Sequence, residues 1–116
     1  MKERFVLLLF VIMSGLLSAQ DVSMSQARSL FDDGKYSASQ SILNQISNAG
    51  KATASTMYLN AKCSKELFLS DAISLYDNLN TFFPYHDFRD EMNKDVARIY
   101  YREKKYGSAI TSFLKV

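Results

Sequence analysis

The chain has 116 residues, of which 47% are hydrophobic and 13% aromatic, a composition that supports a packed core and excludes a disordered chain. Its 14 basic and 12 acidic residues give a formal net charge of +2, too small a field to indicate a nucleic-acid partner. One Pro and four Gly favour helices over turn-rich β structure.

The amino-terminal segment has the layout of a secretory signal peptide. Lys2 and Arg4 form a short basic start, and residues 5–13 are an unbroken apolar run. Small residues follow near Ala19, which predicts cleavage between Ala19 and Gln20. The pattern therefore predicts that the protein is exported.

A membrane anchor is the alternative interpretation of this segment. The apolar stretch at 5–17 holds only 13 residues, whereas a spanning helix needs roughly 20. We therefore expect a cleaved signal peptide at 1–19, a mature domain at 20–116, and no transmembrane anchor after cleavage.

Beyond the leader, apolar residues recur three and four positions apart, which is the spacing of amphipathic helices. Ser37 and Gln40 have the form of a capping box at the start of the second predicted helix. Gly34 stands where the first helix should end in a left-handed conformation, and Pro84 should stop the fourth. With boundaries good to two to four residues, the six predicted helices cover residues 22–33, 37–48, 52–67, 70–82, 87–103 and 106–116.

One short phrase occurs twice, as DDGKYSASQSIL at 32–43 and EKKYGSAITSFL at 103–114. Each copy holds a Lys-Tyr pair, a small residue three positions after the Tyr, and an apolar residue four beyond that. The small residues early in the second, fourth and sixth helices are 33 and 37 residues apart, close to the 34-residue period of helix-turn-helix repeats. These small residues are Ser39, Ala72 and Ala109, and the large residues expected to fill the gap toward the next hairpin are Leu43, Tyr76 and Phe113.

These positions resemble the pattern of the tetratricopeptide repeat (TPR) proteins. The first unit carries the likeness in Ala27, Leu30, Phe31, Gly34, Tyr36, Leu43 and Ile46, with Ser39 in place of the usual Ala. The second carries it in Ala72, Tyr76, Leu79 and Pro84, and Ala61 fits if the turn before Ala72 is one residue short. The third carries it in Ala97, Tyr100, Tyr101, Tyr106, Ala109 and Phe113, with Lys104 in place of the turn Gly.

The resemblance implies an all-α fold, a TPR-like α-solenoid of three helix-turn-helix hairpins after the signal peptide. Its repeats would cover about residues 22–50, 52–84 and 87–116. The stretch from 82 to 110 is also similar to the joins between TPR units in envelope scaffold proteins of Gram-negative bacteria. That likeness implies a periplasmic or outer-membrane-associated protein that acts as a protein-interaction scaffold.

The resemblance implies binding of a partner peptide or helix in the groove that stacked hairpins form. One alternative is that the chain is an amino-terminal docking or sensory module of a longer envelope protein. Another alternative is that it binds glycans through exposed tyrosines. The candidate groove residues lie on the first helix of each hairpin, at positions that are not expected to be buried in the core. They are Gln26, Tyr58, Asn60, Asn93 and Lys94.

No catalytic, metal or cofactor site is expected. His86 is the only histidine and is predicted to lie in an exposed loop, without a nucleophile or orienting partner in any known motif. Cys63 is the only cysteine, which excludes an intramolecular disulfide and predicts a buried thiol. The sequence therefore predicts a protein that is not an enzyme.

The last helix has an apolar strip made of Ile110, Phe113 and Leu114. Contiguous patches of this kind rarely stay exposed in a monomer. We therefore expect self-association through the carboxyl-terminal helix or coverage of the strip by further repeats.

Overall fold

The computed structural model describes residues 23–116, and the described chain is all-α, without a strand. Six helices follow one another, and the ends that can be compared lie within three residues of their predicted positions. The helices are α1 at 23–32, α2 at Tyr36–Asn48, α3 at Ala54–Glu66, α4 at Ala72–Phe82, α5 at Arg89–Arg102 and α6 at Tyr106–Phe113. The predicted signal peptide lies outside the described residues.

The turns after α1, α3 and α5 share one backbone form. Gly34, Phe68 and Lys104 each adopt a left-handed conformation, with φ of +78°, +58° and +62°. The amide of the next residue then donates to the carbonyl five positions earlier, the closing bond of a Schellman turn, at 2.8 or 2.9 Å. The bonded pairs are Lys35 with Leu30, Leu69 with Ser64, and Lys105 with Tyr100.

A small residue lies seven positions before each of these left-handed residues. These residues, Ala27, Ala61 and Ala97, are fully buried. The next anchor comes five residues after the left-handed residue in the first and third turns but four residues after Phe68. The middle turn is therefore one residue shorter than the other two, which is the condition under which Ala61 fits the repeat pattern.

The small anchors of the even-numbered helices are buried at helix contacts, which confirms the predicted positions of Ser39, Ala72 and Ala109. Ser39 also uses its hydroxyl, because Oγ donates to the carbonyl oxygen of Ala27 at 2.7 Å. A serine is accepted at this position because the close approach of α1 to α2 supplies an acceptor for its hydroxyl.

The predicted capping box at Ser37 and Gln40 is wrong. The chain re-enters a helix two residues after the left-handed Gly34, so α2 begins at Tyr36 and Ser37 already lies within its first turn. Lys35 occupies the N-cap without a side-chain cap bond. The side chain of Gln40 is therefore released for a contact with α3.

A capping box does form at the start of α3, where none was predicted. The Thr56 amide donates to Thr53 Oγ1 at 3.3 Å, and the Thr53 amide donates to Thr56 Oγ1 at 3.2 Å. Threonine replaces the usual Glu or Gln of this motif, which explains why the sequence pattern did not reveal it.

Two clusters form the core of the described chain. The smaller cluster joins α1, α2 and α3 through Ala27, Leu43 and Cys63. The larger joins α3, α4 and α5 through Tyr58, Ala61, Ala72, Tyr76, Leu79, Met92 and Ile99. Leu43 and Tyr76 therefore fill the gaps between hairpins as predicted, whereas Phe113 keeps 47% of its surface exposed.

Candidate functional site

The strongest candidate surface runs across the odd-numbered helices. Arg28, Lys62 and Arg98 each follow directly after one of the buried alanines of α1, α3 and α5, so they share one register position. Residues three and four apart share a helix face, which adds Phe31 on α1 and Tyr101 and Arg102 on α5. We call this surface, made of Arg28, Phe31, Lys62, Arg98, Tyr101 and Arg102, the odd-helix face.

Lys62 lies at the centre of the odd-helix face, between aromatic rings. Its Nζ is 5.6 Å from the ring centroid of Phe31 and 5.2 Å from that of Tyr58. Cation–π contacts of this length stabilise an ammonium group without neutralising it. No carboxylate of residues 23–116 lies within 4 Å of this ammonium, so its charge is available to a partner.

The ring of Tyr58 contacts the Lys62 ammonium and belongs to the core. Tyr58 was predicted to be a groove residue outside the core, and this prediction is wrong. Its ring stacks on Phe88 with centroids 4.5 Å apart and planes 5° apart. Burial, with the nearby Asp95 charge, raises the pKa of the Tyr58 hydroxyl, so the phenol stays neutral.

Asp95 forms a buried ionic network where α3 and α4 meet α5. Its carboxylate accepts from the Tyr76 hydroxyl at 2.9 Å, from Lys65 Nζ at 3.0 Å and from Arg98 Nη1 at 3.2 Å. A buried carboxylate needs several donors to offset the loss of hydration, and three donors meet that need here. Burial, with the Asp95 charge, raises the pKa of Tyr76 and keeps it a donor.

Contacts with the carboxyl-terminal end of α3 and the turn after it position the remaining arginine of the odd-helix face. The Arg102 guanidinium lies 4.2 Å from the ring centroid of Phe68 and donates to the Lys65 carbonyl oxygen at 3.2 Å. Lys65 pairs in addition with Glu66 at 3.2 Å. Arg98 and Arg102 are therefore positioned by contacts that leave both side chains largely exposed.

The five residues predicted for the groove do not form one site. Lys94 pairs with Glu91 at 3.3 Å and shares the register of Tyr58. Asn60 instead donates to Asn44 Oδ1 at 3.0 Å, so it faces α2.

Gln26 and Asn93 also lie apart from the odd-helix face. Gln26 is exposed and shares the register of Asn60, the position that in α3 turns toward α2. Asn93 is buried and lines a cleft with Pro84 and Arg89.

The charged members of the odd-helix face were not identified from the sequence as binding candidates. A signal was nevertheless present, because Arg28, Lys62 and Arg98 stand 34 and 36 residues apart, each directly after a small anchor. A basic residue repeated at one register position across three units is visible once the period is known.

His86 lies in the loop between α4 and α5, as predicted, but it is partly buried and not fully exposed, which corrects that part of the prediction. Its Nδ1 accepts from the Phe88 amide at 3.0 Å, so the proton is on Nε2, which lies 2.8 Å from Asn80 Oδ1 and donates to it. Burial, together with Arg89, lowers the pKa of His86. The imidazole serves as a neutral cap at the start of α5.

The described residues 23–116 contain neither a metal-binding cluster nor a membrane-spanning helix. In that range no group of three or more His, Cys, Asp and Glu side chains is placed to hold a metal ion. None of the helices described there has the length and apolar character needed to cross a bilayer. Comparison with protein-family models, with curated proteins and with solved structures finds no match to this chain.

Proposed function

We propose that the chain is an exported protein-interaction module of the TPR type that binds an acidic segment of a partner protein along the odd-helix face. The observation that carries this proposal is the row Arg28, Lys62 and Arg98, one cation on each odd-numbered helix at the same register position. The neighbouring rings of Phe31 and Tyr101 supply apolar contacts beside these charges.

The balance of charge supports an acidic partner. Lys62 and Arg102 have no carboxylate of the described chain within 4 Å, and Arg28 likewise forms no ion pair there. Two of the nearby acids are already engaged, because Asp95 is buried and Glu66 pairs with Lys65, and Asp32, four residues after Arg28, is the exposed acid that remains. The odd-helix face therefore carries surplus positive charge, although the whole chain is almost neutral.

The spacing of the cations indicates how an acidic segment would match them. Packed helices lie about 8–10 Å apart, and an extended chain advances about 3.3 Å per residue. One acidic side chain in about every three residues of an extended peptide would therefore meet successive odd-numbered helices. A helical partner, rising about 1.5 Å per residue, would need acids about six residues apart.

Fluorescence anisotropy with a labelled peptide that carries Glu at every third position tests the proposal. The double variant Arg28→Gln with Lys62→Gln should weaken binding roughly tenfold, because two surface charge contacts contribute about 0.5–1 kcal/mol each. The matched control, Lys35→Gln with Lys115→Gln, removes the same charge away from the odd-helix face and should leave affinity within about twofold. Equal loss in both double variants would show non-specific attraction and refute the proposal.

Export is proposed from the basic start, apolar run and small-residue exit of residues 1–19, the segment that precedes the described chain. Amino-terminal sequencing of protein recovered from the envelope of an expressing Gram-negative bacterium should begin at Gln20. Recovery of the intact chain from the cytoplasm would contradict this proposal.

A further inference from the structure

A cleft lies where the carboxyl-terminal ends of α4 and α6 meet the first two turns of α5. Its volume is about 510 Å³, within the range of roughly 300–1,000 Å³ that is usual for small-molecule sites. None of its lining residues belongs to the odd-helix face, so the two surfaces are distinct. We call it the α5 cleft, and its lining residues are Asn80, Pro84, Arg89, Met92, Asn93 and Lys115.

Asn93 is the buried polar group of the α5 cleft. Only 8% of its surface is exposed, and its carboxamide forms no hydrogen bond with residues 23–116. Every side-chain nitrogen or oxygen that is fully enclosed in that range has a partner, so the Asn93 amide must open into the cleft that it lines. Polar groups this withdrawn from water are normally paired. A bound molecule would supply the missing partner.

Packing does not demand an amide at this position. Asn93 stands four residues before the buried Ala97, and Met57 stands four residues before the buried Ala61. The Met57 side chain packs against the larger core cluster. At one register position, α3 therefore carries an apolar side chain and α5 carries a carboxamide, whose burial costs free energy unless the amide is paired.

The charge of the α5 cleft favours an anion. Arg89 and Lys115 are exposed at its edge, and neither forms an ion pair within the described chain. Arg89 Nη2 donates to the Pro84 carbonyl oxygen, which holds the guanidinium beside the cleft. No carboxylate side chain lines the cleft, so its walls carry two positive charges and no negative one.

The acidic residues next to Arg89 in the chain lie outside the lining of the cleft. Asp87 and Asp90 are exposed and form no ion pair with Arg89. Glu91 pairs with Lys94 at 3.3 Å. The two cations of the cleft therefore remain available to an anion from solution.

The hydrogen-bonding groups of the α5 cleft are mostly donors. Asn80 Oδ1 already accepts from His86 Nε2 at 2.8 Å, which leaves Asn80 Nδ2 to donate. Arg89 and Lys115 can only donate. The Oδ1 atom of Asn93 is the one strong side-chain acceptor left for a ligand. A matching molecule therefore carries several acceptor oxygens and a donor beside them.

We propose that the α5 cleft binds a small organic anion whose carboxylate or phosphate group stands next to a hydroxyl or an amide N–H. The oxyanion accepts charge-assisted hydrogen bonds from Arg89 and Lys115, and the neighbouring hydroxyl or N–H donates to Asn93 Oδ1. Met92 and Pro84 supply apolar contacts for the carbon atoms of the ligand. This site is independent of the function proposed for the odd-helix face.

NMR titration of the ¹⁵N-labelled full chain, at constant ionic strength, tests the proposal with two matched pairs of probes. Glycerate and glycerol 3-phosphate carry a hydroxyl beside the anionic end, whereas propionate and propyl phosphate lack it. At least one hydroxyl-bearing probe should bind with a Kd of about 1 mM, as expected for so small a molecule. Its partner without the hydroxyl should bind about fivefold more weakly, because Asn93 Oδ1 is then unpaired. The pair that binds distinguishes a carboxylate ligand from a phosphate ligand.

Variants of the cleft test the role of each group, and the same spectra show whether each variant keeps the native fold. Asn93→Ala should abolish the preference for the hydroxyl-bearing probe. Asn93→Asp keeps the size of the side chain but adds a negative charge, so it should weaken binding of every probe by about tenfold. Arg89→Gln should weaken binding about fivefold. The matched control Lys35→Gln removes the same charge from the first hairpin and should leave Kd within about twofold.

Four results would overturn the proposal. Two are an absence of binding by all four probes at about 50 mM and a hydroxyl preference that persists in Asn93→Ala. A third is equal weakening by Arg89→Gln and Lys35→Gln, which would show non-specific attraction. The fourth is a set of chemical-shift changes confined to Arg28, Lys62 and their neighbours, which would place anion binding on the odd-helix face instead.

Discussion

Two junctions join the hairpins of the described chain, and they differ in chemistry although they share one register. At the α2/α3 junction, Leu43 packs against Cys63 in a neutral cluster. At the α4/α5 junction, the equivalent residue is Tyr76, whose hydroxyl donates to the buried Asp95. The comparison shows that one backbone repeat can be joined by apolar contact or by a buried ionic network.

Polar contacts support the neutral junction as well, but they carry no charge. Gln40 Nε2 donates to Asn60 Oδ1 at 2.9 Å and to Ser64 Oγ at 2.7 Å, across α2 and α3. Loss of one neutral hydrogen bond costs about 1 kcal/mol, whereas removing one partner of a buried ion pair costs about 3–5 kcal/mol. The α4/α5 junction should therefore respond more strongly to single substitutions of its polar groups.

The largest effect is expected for Asp95→Ala. The change removes the acceptor of the Tyr76 hydroxyl and one of the two carboxylates paired with Lys65, and it should lower the free energy of unfolding by about 3 kcal/mol. The value lies at the low end of the usual range because Lys65 still pairs with Glu66. Urea denaturation measures it, with the exposed Asp77→Ala as control at under about 0.5 kcal/mol. Similar midpoints for both variants would remove the distinction between the junctions.

A smaller effect is expected for Tyr76→Phe, which makes the α4/α5 junction more like its apolar counterpart. Asp95 loses one of three donors, and stability should fall by about 1.5 kcal/mol relative to the exposed control Tyr85→Phe.

The same variant should change the response to alkali. The pKa of Tyr76 is raised above its ordinary 10.0, so the hydroxyl contributes stability that is present below pH 10.0 and lost as pH rises above it. Tyr76→Phe should reduce this loss, although Tyr58 retains part of it. An unchanged alkaline slope would contradict the buried position of the hydroxyl.

The smallest effect concerns His86 at the start of α5. Its pKa lies below the ordinary 6.5, because burial and Arg89 disfavour the charged ring. As pH falls below 6.5, the unfolded chain takes up the proton more readily than the folded chain, so stability declines. Thermal melts across this range should show a slope that His86→Asn flattens. A steeper slope in that variant would contradict the neutral tautomer.

Much of the fold could be predicted because it depends on local pattern. The helices were predicted from the spacing of apolar residues and from Gly34 and Pro84. The contacts between neighbouring helices were predicted from the recurring small residues. Caps were less predictable, because Ser37 matched a motif whose position in the helix depends on the backbone of the preceding turn.

The candidate site was harder to predict because it depends on which helices meet. Asp95 lies 30 residues from Lys65 and 19 from Tyr76 in the chain, and no local pattern pairs them. Tyr58 was wrongly predicted for the same reason, since its ring stacks on Phe88, which lies just before α5. Only the periodic position of Arg28, Lys62 and Arg98 was readable from the sequence itself.

Cys63 gives the molecule a built-in reporter of local opening. The thiol is fully buried, and burial raises its pKa. In the closed state a labelling reagent therefore cannot reach the sulfur, and the sulfur is not in the reactive thiolate form. When the junction recloses faster than the reagent reacts, the rate at which a thiol reagent modifies the native chain equals the fraction of time that the α2/α3 junction is open, multiplied by the reactivity of the freed thiol. The α4/α5 junction has no such reporter, so the exchange of its backbone amides with deuterium would have to supply the matching rate.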